Sequence, residues 1–170
     1  DALPRPGHRP LVIRIVALGS PLGDDAAGLE VGHRLAARPP RGVEVSVRDR
    51  PGFALVDAIQ GADAVLIVDA ARGSSDAGQV EIGRYAGRRH ATRSPTSSHG
   101  AGVAEVLALA RSLGHLPARV DLLTITAAPG RSPSVGLSSE VRRALAGAER
   151  RARTWAAGLA SVSPDGGASN

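Results

Sequence analysis

Two adjacent carboxylates, Asp24 and Asp25, stand in a glycine-bounded loop; a third, Asp69, ends the apolar run Ala64–Val68; and a histidine, His99, sits in the stretch 97–100, Ser-Ser-His-Gly. Two acids and one imidazole at such loop positions could hold a divalent ion through three side chains and leave coordination open for substrate or water. Each residue also has a plainer use. Acids at a helix start cap free N–H groups and suit the positive end of the helix dipole, so of the pair Asp24 fits the cap and Asp25 the ligand. Asp69 would be costly to bury alone; bonding to loop amides at 71–74 or pairing with Arg72 would satisfy it as well as a metal would. His99 could sit exposed at a helix start, with Ser97 or Ser98 as the cap. His8, His33, His90 and His115 have no comparable setting, being respectively in a terminal stretch, within a helix, in a basic loop and beside a proline turn.

The elements that must position these residues alternate along the chain. Apolar runs predict strands at 11–18, 43–48, 64–69, 79–85 and 119–126, and helical spacing predicts helices at 24–37, 53–60, 100–113 and 138–160. Such alternation implies an α/β fold: a three-layer α/β/α sandwich with a twisted, mainly parallel five-stranded sheet and helices on both faces. Loop residues at the carboxyl ends of its strands lie where such sheets place their chemistry. The connection between Asp69 and Gln79 is too short for a parallel crossover, so strand 79–85 is expected to return antiparallel as a hairpin. Val141, Leu145, Ala148, Ala152, Trp155 and Leu159 form one apolar stripe along the last helix. The proline-rich start, residues 1–10, and the small polar end, 161–170, read as loose tails around a single domain at 11–160.

Composition excludes several chemistries. All 21 basic residues are arginine, and cysteine is absent. No lysine means no P-loop lysine and no Schiff base, and no cysteine means no thiol nucleophile and no thiolate metal site. The first loop lacks G-x-G-x-x-G and its acids would repel phosphate, and no G-x-S-x-G elbow occurs. A net charge of +5 raises the question of nucleic acid. The arginines are scattered and aromatics scarce, which fits a solvated basic face better than a nucleic-acid partner. No stretch approaches a membrane span and the first residues lack a signal-peptide core, so the expectation is a cytoplasmic protein, monomeric by default, with no membrane partner.

Four segments, taken in order, resemble the hydrogenase maturation endopeptidases: Ile15–Gly28, Leu66–Ala70, Ser97–Gly100 and Pro129–Ser138. The resemblance spans nearly the whole folded unit. It implies an endopeptidase that removes the C-terminal extension of a nickel–iron hydrogenase large-subunit precursor after nickel insertion. Carried over by motif, Asp25, Asp69 and His99 would be the metal-binding and catalytic residues, with Asp24 and Gly52 facing the substrate. The nickel would arrive with the substrate, and cadmium or another divalent ion could replace it in vitro. The chain departs from the family at Ala17-Leu18-Gly19-Ser20, where G-x-G-N is usual, and at Ala26, where a glycine commonly follows the acidic pair. The competing readings are a non-catalytic, metal-dependent binding protein or maturation chaperone for the large subunit and, ranked last, an anion- or nucleotide-binding domain.

Overall fold

The computed structural model describes residues 9–49, 52–72, 76–87, 96–97, 102–129 and 136–160. Within them, β1 (Ile13–Leu18), β2 (Val43–Arg48), β3 (Ala64–Arg72), β4 (Val80–Arg84) and β6 (Arg119–Thr126) form one sheet in the order β2-β1-β3-β6-β4. All neighbours run parallel except β4, which is antiparallel to β6. A two-residue strand, β5 (Thr96–Ser97), adds to the end of β3 as a sixth. The five expected strands are therefore present, and β5 is an addition that two residues are too few to announce by any period.

β3 is central because eight of its nine residues are buried, as a strand covered on both faces requires. Its alternate residues feed two cores. Ala64, Leu66, Val68 and Ala70 join Ile13, Ile15 and Ala17 beneath helices α1 (Ala27–Ala37) and α4 (Ser139–Ala160). Val65 and Ile67 join Val16 and Leu18 beneath α2 (Phe53–Ile59) and α3 (Gly102–Ser112). The three layers expected from the alternation of elements are thus formed, and α4 buries the six stripe residues together with Ala156. Arg14 interrupts the apolar run of β1 without cost: it pairs with Glu44 and donates to the Ala58 and Gln60 carbonyls at the end of α2.

Two expectations are corrected. Strand β4 is not a hairpin partner of β3, whose two edges are already occupied by β1 and β6; the chain instead passes the end of β6 and pairs on its far side. Asp69 does not end β3, which continues through Ala70 and Ala71 to Arg72. Arg9 forms a two-pronged ion pair with Asp63, which also accepts the Val12 N–H. The remaining tail residues, 1–8 and 161–170, lie outside the described residues. No helix among the described residues is long and apolar enough to cross a membrane.

Candidate functional site

The loop after β1 is drawn tightly onto the sheet. Gly23–Ala26 forms a 3-10 turn that runs directly into α1. The Ser20 N–H donates to the Asp25 carbonyl (3.2 Å), closing the loop around Gly19, where a Cβ would lie 2.5 Å from that same oxygen. One helical turn further on, a Cβ at Gly28 would lie 2.0 Å from the Leu18 carbonyl oxygen, 3.0 Å from that of Val68 and 3.2 Å from the Asp69 Cα. Only glycine lets α1 start this close to the ends of β1 and β3. Three residues correspond to about 5 Å of helix, so the backbone of Asp25 is held within a short reach of Asp69.

The strand pairing leaves an opening at that point. β1 is paired with β3 as far as Ala17 opposite Val68, and β5 joins β3 at Ala71. Because β6 occupies the other edge from Ala64 to Ala71, β5 must lie on the edge that β1 has left. Asp69 and Ala70 fall between the two strands. This is where β1 and β3 send their loops in different directions, the place where open α/β sheets form their binding crevice. Strand alternation turns Asp69 to the same face as Val65 and Ile67, the face covered by α2 and α3. Asp69 is buried, and one carboxylate oxygen accepts the Ala70 N–H at 2.9 Å.

The acidic pair is divided by its surroundings. Asp24 was expected to cap the following helix and to face the substrate; its side chain makes no cap bond, and it is buried. One carboxylate oxygen accepts the Ala128 N–H at 2.8 Å and the other the Ser138 N–H at 2.6 Å. Asp24 therefore anchors the β1 loop to the end of β6 and to the residue that starts α4. Ser138 in turn accepts the Val141 N–H through its hydroxyl, as an N-cap does. Sequence reasoning missed this latch; its only local sign is a serine ahead of a long helical pattern. Asp25 is half-buried.

Gly52 stands immediately before α2, with open space where a Cβ would go, and the neighbouring Phe53 is 78% exposed. Both follow β2 at the same end of the sheet as the Asp25 loop. His99 lies outside the described residues. Among the described residues no three His, Cys, Asp or Glu side chains are grouped to hold a metal ion. The Asp25 loop and Asp69 lie at the same end of adjacent strands.

Comparison with known proteins bears on this arrangement. The sequence model of the family described as hydrogenase maturation protease matches residues 46–155. The fold is similar to that of the hydrogenase maturating endopeptidase HybD from Escherichia coli, with a TM-score of 0.72, 23% identity, and coverage of 88% of this chain and 94% of that one. It is also similar to the [NiFe] hydrogenase maturation protease HybD from Thermococcus kodakarensis, with a TM-score of 0.69, 27% identity, and coverage of 86% and 99%. A further endopeptidase from Escherichia coli, known from its solution structure, gives a TM-score of 0.73 at 24% identity over 84% and 90%. No curated protein sequence matches. With nearly two-thirds of its length matched by the family's model, this chain belongs to the hydrogenase maturation protease family and is a peptidase.

Proposed function

We propose that this peptidase removes the C-terminal extension of a nickel–iron hydrogenase large-subunit precursor once nickel has been inserted, and that Asp25, Asp69 and His99 recognise the nickel the precursor carries. The observation that carries this reading is the opening in the sheet at Asp69, with the Asp25 loop pressed against it by the close seat of Gly28. The inclusion of His99 rests on the family resemblance of the Ser97–Gly100 segment.

Two carboxylates and a neutral imidazole suit a divalent ion of the nickel or zinc kind and leave positions for substrate groups. Such an ion, when bound, polarises a carbonyl or eases deprotonation of a water. The chain's own residues divide the remaining work. Asp69, only 3% exposed, is a fixed ligand on the rigid central strand, whereas the half-buried Asp25 has the access to solvent that a general base acting on water requires. Asp24 holds that loop in place, and Gly52 beside the exposed Phe53 leaves room for the precursor at the rim. In this reading the enzyme works in the cytoplasm as a monomer.

The test is cleavage of nickel-loaded and nickel-free precursor, followed by mass. Only the loaded form is expected to be shortened, and Asp25→Asn and His99→Ala are each expected to abolish the reaction. Equal cleavage of both forms would refute nickel recognition, and full activity in either variant would refute the ligand set. Tight precursor binding with no mass loss would instead favour a non-catalytic chaperone.

A further inference from the structure

Strand β4 is the last strand of the sheet, and among the described residues nothing pairs with its outer edge. Four of its five residues are exposed. The hydrogen bonds at its two ends reveal which backbone groups face outward. The Gln79 carbonyl accepts from Thr126 and the Tyr85 N–H donates to Val120, so odd-numbered residues face β6. Antiparallel ladders alternate; the N–H and C=O groups of Val80, Ile82 and Arg84 therefore point to the open side. Three alternate residues offer a template for another strand.

A groove of about 880 Å³ runs beside this edge, between β4 and α4. Val80, Ile82 and Trp155 give it an apolar lining, with Ile82 left 38% exposed. Gly147 widens it, since no atom stands within contact distance of a Cβ there except an Arg150 guanidinium nitrogen at 3.9 Å. Arg150 and Arg151 form its rim, both exposed, and among the described residues neither has a carboxylate partner. The one acid on β4, Glu81, alternates to the opposite face.

We propose that this edge and groove dock an extended acidic peptide segment of a partner protein, which joins β4 as an added strand. Main-chain bonds to Val80, Ile82 and Arg84 would supply the attachment, and alternate acidic side chains would meet Arg150 and Arg151. Charge decides against a second copy of this chain as occupant. A two-fold pairing of β4 edges would set one arginine rim against another, with like charges facing. The inference is independent of the proposed metal site at the ends of β1 and β3.

Trp155 is the single tryptophan and lines the groove, so its emission reports occupancy. The probe is a hexapeptide alternating glutamate with valine, titrated into the full chain, with a lysine–valine peptide as control. A saturable change is expected with the acidic peptide alone. It is expected to weaken at least tenfold in the double variant Arg150→Glu, Arg151→Glu, and equally in Ile82→Pro, which removes an outward N–H and no bond to β6. Ile82→Glu, which keeps every backbone bond and puts a like charge on the groove, carries the same expectation where the proline variant does not melt cooperatively. No saturable change with the native chain, equal response to the lysine peptide, or native affinity in the folded Ile82 variant would overturn the proposal. So would self-association of the native chain in sedimentation that Ile82→Glu abolishes, since the occupant would then be a second copy.

Discussion

Replacing Asp24 by alanine is expected to cost far more stability than its place in an acidic loop suggests. Its two oxygens accept the N–H groups of Ala128 and Ser138, 104 and 114 residues away, at 2.8 and 2.6 Å. Hydrogen bonds to a charged acceptor contribute about 1.5–3 kcal/mol each, and truncation leaves both amides to find other partners in a largely closed site. The sum is about 3–5 kcal/mol, taking the lower part of the range because the Ala128 amide is only partly buried. That is a fifth or more of the roughly 5–15 kcal/mol by which a domain is stable. Asp24→Asn keeps one acceptor but turns an NH2 group toward the second amide, so about half the loss is expected. Urea denaturation followed by circular dichroism measures both, with an unchanged m-value marking a loss confined to the folded state. In thermal melts the alanine variant is expected to fall by roughly 6–20 °C. Asp25→Asn is the internal control: half-buried beside it, it is expected to stay within about 0.5 kcal/mol of the native chain while cleavage is lost. Native-like stability in Asp24→Ala would refute the anchoring role, because the two amides would then need no carboxylate.

Two glycines and one surface acid give further outcomes. Gly28→Ala places a methyl group 2.0 Å from the Leu18 carbonyl oxygen, so α1 must lift off β1 and β3; a loss of about 3 kcal/mol or more is expected in thermal melts. Gly147→Ala meets only open space in the middle of α4 and is expected to stabilise by up to about 1 kcal/mol, so the same substitution changes sign with its surroundings. For Asp63, the Val12 N–H and then the Arg9 guanidinium hold the carboxyl below its ordinary range. A folded pKa below the unfolded one stabilises at pH values above the unfolded value, near 4, and this stabilisation is lost as pH falls through the folded value. The stability gap between the native chain and Asp63→Asn is therefore expected to be flat from about pH 5 to 8 and to close in acid; a gap that widened below pH 4 would refute the assignment.

Much of the architecture was legible because the elements carry their own periods. The spacing of Val141, Leu145, Ala148, Ala152, Trp155 and Leu159 runs through 22 residues of α4, long enough for a 3.6-residue period to be unmistakable. The runs forming β2 and β6 end where valine and leucine give way to arginine, glycine or small polar residues. What escaped was information no local window holds. A short connection after β3 rules out a parallel crossover, but it cannot reveal that both edges of β3 belong to β1 and β6, and so cannot place β4. Ala70 and Ala71 are buried in the extension of β3, although alanine by itself favours helix over strand.

The same distinction governs the acidic pair. In the sequence Asp24 and Asp25 are the same residue type at adjacent positions, and a helix start gives each the same local use. Their separation is tertiary: the chain returns after β6 to present two amides to Asp24, and Gly28 lets the turn settle until those amides are within bonding distance. Once Asp24 is fixed in this way, Asp25 is left half-buried near the opening at Asp69. In the proposed site, an acid committed to two amides serves the acid left half-exposed beside it, because a loop offering a ligand must itself be held still. That coupling is what the Asp24 and Asp25 variants separate, one by stability and the other by cleavage.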